Sequence, residues 1–393
     1  MQPAPATVTG PISKDCRDRR ESGQDQSAGT SSHDIVYRHR SARAALGQPQ
    51  PDRTAVGPNP LADVVSSQYS KWVYPEPIRD LPAWFVEASA AASANPGARV
   101  VAIDVSQPSL DHHRLLKQHY ALANLDVRHL PIEQAAALGH EFDLVVSTGV
   151  LHHLADPVVG AQALAARLKP DGVLALMLYA RYGRIGVEMM QAVFRDLSLE
   201  QTDAAVRIVK DAIAALGQDH PLRAYMAVAP DLAYDAGLVD TFLHGRDRSY
   251  TVDDCRDLVA AAGLAFQGWF LKSSYYPPAA SGNALFAAVR DLPEEKQWAV
   301  MERINARNAC HFFTACRADR PAAAWRIDFA PEAAAGYVPT FRYRVSLDGD
   351  AIVRPGWRLA LDPVERGLVG LVDGSRSITR IVGEAAAAGV LPQ

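Results

Sequence analysis

The chain has 393 residues, 48% of them hydrophobic and 21% charged, with a formal net charge of −4. That length allows two or three domains with a sizeable core. The small negative charge points to no nucleic-acid partner. No apolar stretch is long and clean enough for a bilayer span, and the N-terminus lacks a signal-peptide apolar region, so a cytoplasmic protein is expected. Cys16, Cys255, Cys310 and Cys316 are too few and too scattered for a disulfide framework, so free thiols are expected. The adjacent pairs His112-His113 and His152-His153 lack metal-ligand spacing, and no metal site is predicted.

Residues 1–60 are rich in Ser, Gln, Pro, Asp and Arg and nearly free of aromatics, which predicts a disordered tail. Order is expected to begin near Tyr69, where the aromatic and proline-rich run Tyr69 to Pro77 predicts an irregular arm. Arg99 to Asp104 is a short apolar run ending in an acid, the pattern of a buried parallel strand. Helical spacing follows from Ser106 to Leu122, with Ser106 or Ser109 as cap. Val127–Leu130 and Phe142–Ser147 predict two more strands, Asp156–Leu168 a helix, Lys169-Pro170-Asp171-Gly172 a stop and turn, and Val173–Leu178 another strand. This alternation predicts an α/β fold with a doubly wound, mostly parallel sheet. Residues 186–246 read as helical, and Thr251-Val252-Asp253-Asp254 as a capping box. Leu264–Leu271 tends toward a strand. Beyond about residue 300, Trp325–Phe329, Phe341–Leu347 and Trp357–Leu361 predict short strands, and Ser377–Ala387 a helix. The expected division is a tail over 1–60, an α/β domain over 65–290 and a small α+β unit over 300–393.

Asp104 lies where an open α/β sheet binds ligands, beyond the carboxyl end of a strand, and a carboxylate there can accept both ribose hydroxyls of an adenosine. It could equally cap the following helix. Phe142 to Leu154, with Thr148-Gly149-Val150 leading into Leu151-His152-His153-Leu154, continues through Ala155-Asp156-Pro157 to Leu168-Lys169-Pro170-Asp171-Gly172-Val173-Leu174. Over about residues 70–275 the chain resembles the class I S-adenosylmethionine (SAM)-dependent methyltransferases. The resemblance implies SAM as cofactor and a Rossmann-like sheet. It implies Asp104 on the ribose, Ile103 and Val105 beside the adenosine, and Ile132 and Glu133 bordering the adenine. Thr148, Gly149 and Val150 then lie along the methionine part. Pro131 stands where the family's adenine-contacting acid is usual, and Glu133 is the replacement. Of the paired histidines, His152 is expected to face the site and His153 to pack.

The family's first strand and its G-x-G-x-G loop are expected some twenty residues before Asp104, and no glycine occurs between Gly57 and Gly97. Either Trp84–Glu87 is a shortened strand with Ala and Ser replacing glycine, or strand and loop are deleted and Ala88–Ala94 is the remnant of the next helix. Deletion is the favoured reading, and it leaves two neighbouring strands with unpaired edges and weakens SAM binding.

Acceptor-side candidates are Tyr179–Arg184 after the fifth strand and the polar, aromatic loop Asp240–Tyr250, expected over the cofactor cleft. His152, Tyr182 and His244 are candidate bases for an oxygen or nitrogen acceptor. Pro355 to Ile378 is similar to the winged-helix-type PqqD proteins, which bind peptides. The leading expectation is a SAM-dependent methyltransferase acting on a small-molecule or peptide acceptor. A methyltransferase-fold scaffold without catalysis is the alternative, and a nicotinamide-dependent oxidoreductase ranks last.

Overall fold

Alternation along Arg99–Asp104 (β2) divides its side chains between two layers. Val101 and Ile103 enter the main core, while Val100 and Ala102 pack with Ala88 and Ala92 of the helix Ala88–Ala94 (α1) and with Leu122 and Leu125. The computed structural model describes residues 34–38, 68, 88–278, 282–341, 345–354 and 357–391. All of these fall in one unit spanning residues 33–393. The aromatic run Tyr69 to Pro77 lies outside the described residues.

The central sheet has eight strands. Besides β2 these are Asp34–Arg38 (β1), Leu125–His129 (β3), Phe142–Thr148 (β4), Leu168–Ala180 (β5), Ser249–Tyr250 (β6), Leu264–Trp269 (β7) and Cys310–Arg317 (β8). Their order is β3-β2-β1-β4-β5-β8-β7, with β6 added to the end of β5. β8 runs antiparallel between β5 and β7, and β1, β2, β3, β4 and β5 are parallel. The predicted α/β class and mostly parallel sheet are therefore found.

Several local expectations need correction. A strand does occupy the central slot between β2 and β4, and it comes from Asp34–Arg38, inside the segment expected to be disordered. The two neighbours are thus paired, and Ala88–Ala94 is a helix. The rest of residues 1–60 lies outside the described residues. The boundary expected near residue 300 also fails, because Cys310–Arg317 is paired on both sides within the main sheet. Lys169-Pro170-Asp171-Gly172 does not break the chain. It forms an irregular stretch of β5, where the register against β4 shifts between Phe142 and Leu144. Trp325–Phe329 is not a strand.

Gln107–His119 (α2) begins at Ser106, whose hydroxyl accepts from the Ser109 amide, and it packs with α1 beside β2 and β3. Pro157–Ala165 (α3), capped by Asp156, covers the other face together with the helix Val252–Ala261. On the face opposite Val145 and Leu174, Leu144, Val146, Ala175, Phe270 and Phe312 line a cavity of about 660 Å³.

Between β5 and β6 the chain inserts four helices: Ile185–Asp196 (α4), Asp203–Ala215 (α5), Leu222–Met226 (α6) and Asp235–Phe242 (α7). They have their own core of Val187, Phe194, Val209, Leu222, Leu238 and Phe242. Burying each such side chain contributes roughly 1.5–3 kcal/mol. Gly186 permits the close approach of α4 and α6, since a Cβ there would lie 2.1 Å from the Leu222 nitrogen. Val252–Ala261 (α8) opens on the predicted capping box, with Thr251 and Asp254 bonding reciprocally.

Ala284–Arg290 (α9) and Glu294–Ile304 (α10) lead into β8. The short helix Pro331–Ala334 (α11) precedes a separate antiparallel sheet of Ser346–Asp348 (β9), Ala351–Arg354 (β10) and Trp357–Ala360 (β11). Pro363–Val369 (α12) and Ile378–Ala387 (α13) complete this small α+β element. No helix among the described residues is long and apolar enough to cross a membrane.

Candidate functional site

Parallel pairing sets the site. Ile103 of β2 and Ser147 of β4 are both level with Arg38, the last residue of β1. Asp104 and Thr148, each one residue further, therefore stand on either side of the end of β1. Two strand spacings separate them, about 10 Å. Asp104 is 1% exposed, and its Oδ1 accepts from the Ser106 amide at 2.8 Å, which fixes the carboxylate at the sheet edge. The same bond tightens the turn into α2, so the capping and ligand-binding readings of Asp104 are compatible. Gly149 takes φ +71°, a left-handed conformation suited to glycine, and its amide donates to the Met177 carbonyl at 3.1 Å.

The remaining predicted cofactor positions divide. Val105 and Val150 are buried beside Asp104 and Gly149 in sequence. Glu133 is half-buried in the short 3-10 segment after β3. Ile132 is fully buried in the main core and approaches Gly160 of α3, so its visible role is packing.

A second group of polar side chains gathers at the carboxyl ends of β4 and β5, beneath the helical insert. The His152 ring stacks on Tyr179 with centroids 3.9 Å apart, and His153 lies 4.2 Å from His152 and 4.1 Å from His244. All three histidines are at most 3% exposed. His153, expected only to pack, is the hub. Its Nδ1 is 3.2 Å from the Arg246 carbonyl and 3.6 Å from Asp247 Oδ1.

Arg184 is the one buried arginine or lysine among the described residues. It donates to Asp247 Oδ2 at 2.7 Å and to the Tyr225 hydroxyl at 2.8 Å, and its guanidinium lies 3.6 Å above the Tyr179 ring. Gln191 also donates to Asp247 Oδ2, at 2.9 Å. Burial by itself would lower the Arg184 pKa, but Asp247, with smaller contributions from Tyr225, Cys310 and Asp240, outweighs it and keeps the group charged. Tyr179 donates to Asp240 Oδ2 at 3.5 Å.

The segment Asp240–Tyr250 is thus held at the sheet's carboxyl edge, with β6 paired to the end of β5. Its residues separate in role. His244 and Asp247 enter the polar group, Phe242 packs in the insert core against Phe194, and Arg248 is exposed. Tyr182 stands apart from the histidines' ring contacts. Its hydroxyl accepts from Arg303 Nε at 3.2 Å.

Among the described residues, two donor sets could hold a metal ion. One comprises His152, His153 and Asp247, and the other His153, Asp240 and His244. In each, the ligand atoms lie within 4.8 Å of one another. Sequence spacing could not reveal either, because about ninety residues separate the histidine pair from the other donors. Cys310 and Cys316, by contrast, lie six residues apart along β8, about 20 Å by strand rise, too far to share a ligand.

Residues 86–174 match a family model described as a methyltransferase domain. The chain is 29% identical over 199 residues to an uncharacterised protein of Synechococcus sp., covering 49% of this chain and 48% of that one. It is 36% identical over 81 residues to a ubiquinone biosynthesis O-methyltransferase of Dinoroseobacter shibae, covering 21% of this chain and 32% of that one. The chain thus matches half or less of the length of these curated relatives. PKMT2 from Rickettsia typhi superposes with a TM-score of 0.54 at 11% identity, covering 77% of this chain and 63% of that one, which shows a common fold. Residues 86–174 are therefore similar to a methyltransferase domain, and they lie within a mostly parallel α/β sheet whose fold is shared with PKMT2.

Proposed function

We propose that the chain, which carries a SAM-dependent type of methyltransferase domain, transfers a methyl group to an oxygen or nitrogen of a small-molecule or peptide acceptor held beneath the helical insert. The observation that carries this reading is the placement of Asp104 and Thr148-Gly149 at one level on either side of β1. A fixed carboxylate on one side suits a ribose diol, and a small-residue loop on the other suits an extended amino-acid chain. These residues fit SAM, which when bound supplies an electrophilic methyl group.

The protein's own part is then alignment and exclusion of water. The insert helices wall the acceptor side. His152, in the same loop as Thr148 and Gly149, is the base this reading favours for taking the acceptor proton. Tyr182, whose hydroxyl accepts from Arg303 at 3.2 Å, is a further candidate base. A cytoplasmic setting, where thiols such as Cys255 and Cys316 stay reduced, is part of this reading. After β1 the sequence runs His39-Arg40-Ser41-Ala42-Arg43-Ala44-Ala45-Leu46 before its first glycine, Gly47, so no glycine-rich loop follows that strand directly. A glycine loop would supply two or three further backbone hydrogen bonds at about 1 kcal/mol each. Without them SAM binding is roughly ten- to two-hundred-fold weaker than in a protein with that loop. The placement of Asp104 and Thr148-Gly149 equally supports a second reading, a methyltransferase-fold binding protein without turnover.

Calorimetry of the full chain with S-adenosylhomocysteine is the test. We expect measurable binding, lost by at least about tenfold in Asp104→Asn, since removing one charge-assisted acceptor costs about 1.5–3 kcal/mol. Equal affinity in the variant would overturn the cofactor assignment. Binding without turnover of any hydroxyl or amine acceptor would favour the second reading.

A further inference from the structure

We propose that His153, Asp240 and His244 form a binding site for a divalent transition-metal ion of the zinc class. The inference does not rest on the methyl-transfer reading.

The donor atoms of the three residues lie within 4.8 Å of one another, close enough to converge on a single ion. All three are buried, at 0%, 1% and 3% exposure. Two imidazoles and one carboxylate make a borderline donor set, matched to zinc, cobalt(II) or iron(II) rather than to magnesium or calcium, which favour all-oxygen sites. The backbone places the donors well. Asp240 is in the last turn of α7, and His244 lies two residues beyond the helix end. His153 faces them from the short 3-10 segment after β4, its ring 4.1 Å from that of His244.

The surroundings match an outer coordination shell. With its Nδ1 hydrogen donated to the Arg246 carbonyl at 3.2 Å, His153 directs Nε2 to the metal. A ligating histidine characteristically donates its other ring nitrogen's hydrogen in this way. The Tyr179 hydroxyl donates to Asp240 Oδ2 and orients that carboxylate. Charge also favours this set over the one that shares His153. Asp247 is paired with Arg184 at 2.7 Å, so a dication beside it would face the guanidinium, whereas Asp240 makes the smallest of the contributions acting on that group. Asp240 is a second carboxylate in the same buried group, beside the imidazoles. Three protein donors leave a fourth tetrahedral position for water or an oxygen-bearing ligand.

The test is titration of the full-length, EDTA-treated protein with cobalt(II), read by visible absorption, with zinc competition and metal analysis of the protein as purified. We expect one cobalt per chain with a tetrahedral-type spectrum that zinc abolishes. Asp240→Asn and His244→Gln should each weaken binding by about 100-fold or more. Tyr179→Phe, which removes only the orienting hydroxyl, should weaken it by about tenfold. His152→Gln should leave affinity within about threefold, because that residue belongs to the rival set alone. Circular dichroism of each variant confirms that it is folded, and the wild-type titration stands without any of them. Absence of a stoichiometric cobalt spectrum in the wild-type protein overturns the proposal. So does loss of binding in His152→Gln with retention in Asp240→Asn. Neither readout involves SAM, so failure here leaves the methyltransferase reading untouched, and a failed S-adenosylhomocysteine titration leaves this one untouched.

Discussion

Two of the buried acid–base pairs among the described residues differ in whether the base keeps its proton. Arg184 and Asp247 sit 2.7 Å apart beneath the helical insert, with side chains 1% and 5% exposed. Glu302 of α10 and His311 of β8 sit 3.8 Å apart beside the start of α8, with side chains 3% and 1% exposed. Burial penalises charge on Arg184, Glu302 and His311. In the first pair the base is too strong to surrender its proton, and Asp247 accepts from both Arg184 and Gln191 on one oxygen. In the second, burial pushes Glu302 up to about 7, against the Val252 amide that donates to it at 3.0 Å. Burial also lowers His311 to about 4, although its Nε2 lies 3.0 Å from the Tyr250 carbonyl. Between those values the second pair is a neutral acid beside a neutral imidazole. Base strength and the number of hydrogen bonds, more than proximity, decide whether a buried pair stays charged.

The sharpest way to break this contrast is to remove one member of the charged pair. Arg184→Ala leaves the Asp247 carboxylate buried without its cation, and a loss of about 3–5 kcal/mol in unfolding free energy is expected from urea titration at pH 7. The double change Arg184→Met with Asp247→Leu removes both charges and should recover most of that loss. If the double variant is as unstable as the single one, the charge pair contributes through its hydrogen bonds to Tyr225 and Gln191 and not through charge balance.

A smaller effect is expected at the neutral pair. Glu302 holds its proton more tightly in the folded chain than its ordinary 4.5, so the folded state binds more protons than the unfolded state from about pH 4.5 to about 7. Stability from this group is complete below that window and is lost as pH rises through it. Glu302→Gln cannot ionise and can still accept from Val252. It should match the wild type at pH 4 and exceed it by about 3 kcal/mol at pH 8, measured by urea midpoints. A variant less stable than wild type at pH 8 would show that Glu302 is ionised and useful in the fold.

The two pairs also differ in how far the sequence reveals them, as do the elements around them. Phe142–Leu154 and the Thr251–Asp254 capping box carry their signals within a dozen residues. A strand run, a loop glycine and a reciprocal cap are local physics, and each appears where expected. β1 and β8 do not announce themselves, because a strand is defined by partners, and theirs lie from about 44 to well over a hundred residues away in the chain. The place of Asp104 at the end of β2 is legible because the apolar run from Val100 to Ile103 stops there. The His153–His244 contact and the Arg184–Asp247 pair are not, because each joins the end of one strand to the far side of a helical insert. A lone arginine followed by apolar helical positions was the available clue, since a charge in such a setting demands a buried partner. Reading His153 as a packing residue failed for the same reason: its polar neighbours, Arg246 and Asp247, arrive from the loop after α7.

The smallest expected effect concerns His311, and Glu302 conceals it in the wild type. His311 is depressed from its ordinary 6.5 to about 4, so the folded state binds fewer protons than the unfolded state between those values. Its contribution is therefore complete above about pH 6.5 and is lost as pH falls toward 4. Over roughly pH 4.5 to 6.5 this rise with pH opposes the fall caused by Glu302, and the wild-type profile should be nearly flat there. Glu302→Gln removes one slope and leaves the other, so the variant should gain stability steadily from pH 4.5 to 6.5. Adding His311→Gln should flatten the profile again, at the expense of the bond between His311 Nδ1 and the Tyr275 hydroxyl, 2.7 Å long. Urea midpoints at pH 4.5, 5.5 and 6.5 for the three proteins separate the two groups. A flat profile in the single variant would mean that His311 retains a near-ordinary affinity for its proton and that the buried pair carries charge after all.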